Sequence, residues 1–257
     1  MPGNEKEIAK YLVKNKSKVS LRHLGIVTSI GAPNPSIAGF REINSASDVD
    51  KYLSSEDSRK KADIYINGEG VSLKQAGATF SYNRMQRANL LEVFTLLKFA
   101  NPEAALARID LEVRMFHDNK LDRRNRPWRD LFSESEFKSL SKFLMMDGAP
   151  NVGFSLHPAK FILEAPVCGI SQENLDIFTF EEYFNKYCDN FKIAIRRQWV
   201  GQASKSEHGR AVGLAGKPEN APWVFSTVVG KPRTGWRPGF SVANRKTVYF
   251  LMIEKES

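Results

Sequence analysis

The chain has 257 residues, 42% of them hydrophobic and 26% charged, enough apolar content for one sizeable core and at most two small domains. Lysine and arginine number 38 against 29 acidic residues, and the formal net charge of +9 favours a polyanionic partner. No apolar run approaches the roughly 18 residues of a membrane span, no signal-peptide core is seen, and two cysteines with four scattered histidines argue against a disulfide framework or zinc cluster. A cytoplasmic protein with free thiols is expected.

Taken in chain order, Glu5 to Lys14 predicts an amphipathic helix with Ile8, Tyr11 and Leu12 on one side. A strand is expected over Leu24 to Ile30, followed by a loop rich in proline and small residues from Gly31 to Ala38. Ser45 or Ser47 is placed to cap a short helix carrying Val49 and Leu53. Lys61 to Gln75 predicts a β-hairpin, with Asn67-Gly68 opening its turn. Helices are expected over about Arg84 to Phe99 and over Glu103 to Phe116, the latter started by Asn101-Pro102. The basic run Lys120 to Arg129, broken by Pro127, predicts a loop.

Ser133 to Glu136 fits a capping box opening a helix through Leu144. Phe161 to Leu163 and Phe191 to Ile195 are expected strands. So is Thr247 to Ile253, whose continuous apolar run predicts burial on both faces. Thr179 is placed to cap a helix with Tyr183, Phe184 and Tyr187. Gly201 to Asn220 is expected to be a loop, either a segment that orders on DNA or a plain surface loop. Within it, Gly209 to Gly216 lacks the ending of a P-loop and is expected to be a flexible turn. Irregular alternation of strands and helices predicts an α/β fold, a central mixed sheet flanked by helices.

The hairpin concentrates the chemistry. Strand alternation puts Asp63, Ser72 and Lys74 on one face, whether the loop is Asn67 to Gly70, with Asp63 opposite Lys74, or Asn67-Gly68 alone, with Asp63 opposite Ser72. An acid and a lysine brought together in a basic chain suit a metal-dependent phosphodiesterase. Carboxylate oxygens hold a hard cation against the scissile oxygens, and a positive group favours hydroxide and offsets transition-state charge. Asp63 is the candidate metal ligand, Lys74 the water-activating group, and the Leu73 carbonyl a further metal ligand. The bland alternative is an exposed Asp63–Lys74 ion pair worth about 0.2–1 kcal/mol.

This strand-borne Asp, turn and second strand ending in x-x-Lys resembles the active-site core of the PD-(D/E)xK nuclease superfamily, most closely its type II restriction endonucleases. Ala62 stands where a proline often precedes the Asp, and Ser72 where an acid is expected two before the lysine. The run Asn4-Glu5-Lys6-Glu7-Ile8-Ala9 resembles the opening of certain small restriction enzymes with four-base sites. The resemblance implies a restriction-endonuclease-like core, Mg²⁺ as cofactor, double-stranded DNA as substrate and Glu5 leaning over the metal. Glu92, on the helix after the hairpin, is the other candidate for the second carboxylate, and Ser72 would hold a metal-bound water. The plain readings are a dipole-favoured acid for Glu5 and a solvated helix position for Glu92.

DNA contacts are expected from the polar run Tyr82, Asn83, Arg84, Gln86 and Arg87, from Arg123, Arg124 and Arg126, and from the basic C-terminal part with Lys231, Arg233 and Arg237. The plain reading of those basic residues is a solubilising surface. One domain over 1–257 is expected, with 1–165 as catalytic core and 166–257 as a basic DNA-binding part. A palindromic site would imply a homodimer or a monomer acting twice. A repair or junction-resolving nuclease of the same superfamily, or a non-catalytic DNA-binding protein, are the alternative functions.

Overall fold

The computed structural model describes residues 4–53, 60–78 and 80–256, with side chains from residue 84 onward in the last stretch. The chain runs through α1 (Glu5–Lys14), β1 (Ser20–Leu21), β2 (Gly25–Ile26), β3 (Ile30–Pro33), β4 (Phe40–Glu42), α2 (Ala46–Tyr52), β5 (Ile64–Ile66) and β6 (Glu69–Gln75). Next come β7 (Phe80–Met85), α3 (Arg87–Leu96), α4 (Pro102–His117), β8 (Asn125–Pro127), α5 (Glu134–Lys142), β9 (Gly148–Ala149), β10 (Gly153–Phe154) and β11 (Phe161–Ala165). The remainder is β12 (Asp176–Phe178), α6 (Phe180–Tyr187), β13 (Phe191–Val200), α7 (Lys205–Ala215), β14 (Val224–Phe225) and β15 (Lys246–Lys255).

Two compact units share these elements. The first takes residues 1–80, 138–190 and 255–257, the second 81–137 and 191–254. Among the described residues no helix is long and apolar enough to cross a membrane.

The first unit is α/β, built on a six-stranded mixed sheet of order β12-β11-β6-β5-β3-β4. β11 runs parallel to β6, with Lys74 opposite Glu164, and the other pairings are antiparallel. Alternation divides the sheet's faces. Ile64, Ile66, Val71, Leu73, Leu163 and Ala165 join Ile8 and Leu12 of α1 and Val49 of α2 in one buried cluster. On the opposite face Tyr183 and Tyr187 of α6 bond to Glu164. Helices therefore flank both faces of this sheet.

Local chemistry explains the helix starts. Ser45 and Asp48 form a reciprocal capping box at α2, and Thr179 and Glu182 do the same at α6. α1 carries Glu5 and Glu7 in its first turn and Lys14 in its last, matching the helix dipole.

The hairpin between β5 and β6 turns on two residues with positive φ, Asn67 at 52° and Gly68 at 83°. Asn67 is locked from outside the hairpin. Its Oδ1 accepts from the N–H groups of Thr28 and Ser29, and its Nδ2 donates to Leu24 O and Ile26 O. Gly70 is required by close approach, because a Cβ there would lie 2.3 Å from Pro158 O.

The second unit carries the strand order β14-β15-β13-β8, with β7 also paired to β15. β15 is buried along almost its whole length, as its unbroken apolar run predicts. At α4, Asn101 accepts from Ala104 N at 2.9 Å, with Pro102 opening the helix.

Several expectations are corrected. Gly201 to Asn220 is not a loop: it contains α7, capped by Ser204, with Ala211 and Leu214 buried and Leu214 O satisfied by Asn220 Nδ2 at 3.0 Å. Gly209 and Gly213 lie inside that helix, so tertiary burial overrides a propensity cost of about 1 kcal/mol per glycine. The expected loop from Gly31 includes β3, fully buried between β4 and β5. Within the strand expected over Leu24 to Ile30, strand pairing is confined to β2 and to Ile30, the first residue of β3. The helix expected from Arg84 begins at Arg87, because β7 runs through Met85. Asn125–Pro127, expected as loop, pairs with β13.

Candidate active site

The hairpin takes the shorter of its two possible turns. Its register pairs Ile64 with Val71, which carried one step further places Asp63 against Ser72, with Lys74 diagonal to it. Asp63 Oδ2 accepts from Leu73 N at 2.7 Å and from Ser72 Oγ at 3.2 Å. Lys74 Nζ donates to Ser72 Oγ at 2.8 Å and to Leu73 O at 3.1 Å. Asp63 and Lys74 form no direct ion pair, so the bland cross-strand reading does not describe them. They are joined through the Ser72 hydroxyl, which is 2% exposed. The Leu73 carbonyl, a candidate metal ligand, is occupied by the Lys74 ammonium.

Burial brings in residues that strand patterning alone does not single out. Lys61, two before Asp63, is 6% exposed and donates from Nζ to Leu144 O at 2.8 Å. Burial first, then repulsion from Lys74, brings its ammonium down to about 8, with Asp63 and Asp147 opposing. Burial also raises Asp147, which has Lys142 at 3.9 Å. The spacing of Lys61, two residues before Asp63, is a sequence signal that could have found it. No local signal marked Asp147.

Beside Lys74 on the neighbouring strand, Glu164 is 2% exposed and accepts from Tyr183 Oη at 3.1 Å, Tyr187 Oη at 2.6 Å and Lys255 Nζ at 3.2 Å. Burial and the Glu164 carboxylate hold the Tyr187 phenol far above its usual range. Glu164 is thus a buried carboxylate whose two oxygens already accept from three donors.

Glu5 opens α1 and is half-buried. Glu92 is exposed on α3 in the second unit. Among the described residues no group of three or more His, Cys, Asp or Glu side chains is placed to hold a metal. Mg²⁺ asks for less, keeping several waters and taking one or two carboxylates. Asp63 Oδ1 has no hydrogen-bond partner among the described residues, so an uncommitted carboxylate oxygen stands on the face that bears Lys74. The donor set fits a hydrated hard cation.

The candidate DNA-facing residues divide sharply. Arg87 is spent internally: Nε and Nη2 grip Asp110 at 2.8 Å each, and Nη1 donates to Glu219 O at 2.7 Å. Arg126 pairs with Glu112 and, at 3.0 Å, with Asp130. Arg84 lies 4.8 Å over the Phe250 ring, and Gln86 accepts from Lys217 Nζ at 3.0 Å. Arg123, Arg124, Lys231 and Arg233 are exposed, and Arg237 is half-exposed. The backbone of Tyr82 and Asn83 lies in β7, while their side chains fall outside the described residues.

Charge is segregated between the units. The second unit holds 21 basic and 12 acidic residues, and the first holds 17 of each. The whole formal excess of +9 therefore belongs to the second unit, while the Asp63–Ser72–Lys74 arrangement belongs to the first. No family model, curated protein or solved structure matches the chain.

Proposed function

We propose that this chain is a Mg²⁺-dependent endonuclease that hydrolyses duplex DNA at specific sites, a type II restriction endonuclease with a restriction-endonuclease-like core. The observation that carries the reading is the line from Lys74 through Ser72 to Asp63. It sets an ammonium and an uncommitted carboxylate oxygen on one face of a hairpin. Asp63 would hold the cation, with Glu5 as the second carboxylate. When bound, Mg²⁺ supplies Lewis-acid stabilisation of the scissile oxygens. Lys74 offers a fixed positive charge to the attacking water, and Ser72 keeps that ammonium at a set distance from the carboxylate. The basic second unit supports a polyanionic substrate. A homodimer would match a palindromic site.

The test is digestion of unmethylated phage DNA by the purified protein with Mg²⁺ and with EDTA. Discrete Mg²⁺-dependent bands are expected, and sequencing of the ends would give the site. A smear would replace site-specific cutting by general nuclease action. Cleavage confined to branched substrates would make it a junction-resolving enzyme. Intact DNA throughout, with salt-dependent binding retained, would make it a DNA-binding protein.

A further inference from the structure

The connection between β14 and β15, residues 226–245, is twenty residues long, and its one regular stretch is the short turn Val242–Asn244. Connections of that length inside a compact unit are usually functional. From 220 to 253 the chain carries no acidic residue, while Lys231, Arg233, Arg237, Arg245 and Lys246 supply five cations. None of the five forms an ion pair among the described residues. Arg245 lies 4.4 Å over the Trp236 ring, which holds its charge in place without neutralising it. The segment is nevertheless held in one shape. Trp199 Nε1 donates to Val229 O at 3.0 Å, Ala203 N to Gly235 O at 2.8 Å and Arg237 N to Gly201 O at 2.9 Å.

Gly201 and His208 of α7 form the pin of this arrangement. Gly201 has a φ of 94°, and a Cβ there would lie 2.6 Å from Phe240 Cδ1. Its N–H donates to His208 Nδ1 at 2.9 Å while its carbonyl takes the Arg237 N–H. A ring nitrogen that accepts from a backbone N–H carries no proton, so the imidazole is neutral with its hydrogen on Nε2. Burial, then the charge of Arg237, lowers His208 below its ordinary 6.5, in agreement with a neutral ring. Phe240 meets the same ring edge-on at 5.6 Å. We propose that segment 226–245 is the element that grips the backbone of duplex DNA, its cations meeting phosphates, and that His208 is the positioning residue that holds it in the gripping shape. Charge complementarity selects a chain of phosphates, and a segment already fixed loses little freedom on binding. DNA as the partner rests on the nuclease reading above, while the shape and charge of the segment are properties of the second unit alone.

The experiment titrates the full chain, in EDTA, against a fluorescein-labelled DNA duplex of mixed sequence over a range of salt, with thermal melting to check folding. Arg237→Gln and Arg245→Gln should each lower the slope of log K against log salt by about 0.9. His208→Leu removes no charge, yet it should lower the slope by about 1–2 as the segment leaves the phosphates. His208→Ala takes its place if that variant does not fold. His208→Asn keeps an acceptor for the Gly201 N–H and should restore the wild-type slope, which a change in stability alone would not move. In the wild type, duplex DNA should shield Lys231 and Lys246 from acetylation and leave the exposed Lys18 of the first unit reactive. Unchanged slopes in both arginine variants, with Lys231 and Lys246 unshielded, overturn the segment as the gripping element, and Mg²⁺-dependent cleavage beside that result leaves the nuclease reading standing. A wild-type slope in folded His208→Leu or His208→Ala overturns the positioning role. Tighter binding of duplex RNA overturns DNA as the partner. The expected slopes in a protein that never cuts DNA overturn the nuclease reading and keep this inference.

Discussion

Lys74 reaches Asp63 only through a hydroxyl: its Nζ donates to Ser72 Oγ at 2.8 Å, and that oxygen donates to Asp63 Oδ2 at 3.2 Å. A direct surface ion pair would neutralise both charges in one contact and contribute about 0–1 kcal/mol. The interposed serine instead keeps the two charges apart and fixed. That arrangement leaves Asp63 Oδ1 uncommitted.

Lys74→Ala should therefore lower cleavage by about 10²–10⁴-fold, the range for loss of a proton-transfer group, with DNA binding in Ca²⁺ left intact. Ser72→Ala should give a smaller loss and Ser72→Thr should keep most activity, since threonine retains the hydroxyl. Cleavage assays paired with gel-shift titrations decide it. Wild-type cleavage by Lys74→Ala would remove the mechanism.

The arginines of the second unit should separate into two classes. Arg87 holds Asp110, which also accepts from Trp223 Nε1 at 2.7 Å, so Arg87→Ala strands a half-buried carboxylate and should cost about 1–3 kcal/mol. Its effect is a lowered Tm. Arg123→Ala and Arg233→Ala remove exposed charges and should leave Tm unchanged while weakening DNA binding. Each should reduce the slope of log K against log salt by about 0.9 if it meets one phosphate. Equal salt slopes in all variants would take these side chains off the DNA.

Much of this fold was legible because its signals are local. Asn67-Gly68, Ser45 with Asp48, and Thr179 with Glu182 each act within a few residues, and each forms as its chemistry dictates. The face shared by Asp63, Ser72 and Lys74 follows from alternation alone. The register did not, since either turn length satisfied the pattern, and the lock on Asn67 comes from Leu24 to Ser29. α7 was hidden by its two internal glycines, and β3 by a glycine and a proline. Lys61 and Glu164 acquire their surroundings from Leu144, Tyr183, Tyr187 and Lys255, which strand order and chain return bring in from far along the sequence.

The Glu164–Lys255 pair should govern stability at alkaline pH. Lys255 is 2% exposed, and burial lowers its ammonium below the ordinary 10.5 although Glu164 opposes the shift. A lysine lowered in the folded state loses its proton there first. Between that point and 10.5 the unfolded chain binds more protons, so this group makes stability rise with pH. Lys255→Met abolishes that titration and leaves Glu164 without its buried cation, a loss of roughly 3–5 kcal/mol for a broken buried pair. The wild-type advantage over Lys255→Met should therefore widen as pH climbs toward 10.5, and Glu164→Leu combined with Lys255→Met should recover much of the loss. Denaturant unfolding across that range tests both, and a gap that narrows with pH would refute the assignment.

Asn67 couples the turn to the site. Asn67→Asp keeps the oxygen that meets Thr28 and Ser29 but loses both hydrogens given to Leu24 O and Ile26 O, and sets a carboxylate against those carbonyls. A cost of about 1–3 kcal/mol is expected from the unpaired groups. Asn67→Gly tolerates the positive φ and preserves the two-residue turn while removing the whole lock. If the turn alone sets the register that places Asp63 against Ser72, Asn67→Gly should melt earlier yet cleave normally per folded molecule. If the lock is also needed, activity should fall further than the folded fraction at the same temperature. Slippage by one residue would carry Lys74 to the opposite face of the sheet, so loss of cleavage in a well-folded Asn67→Gly would identify the Leu24 to Ser29 segment as the part that holds the catalytic register.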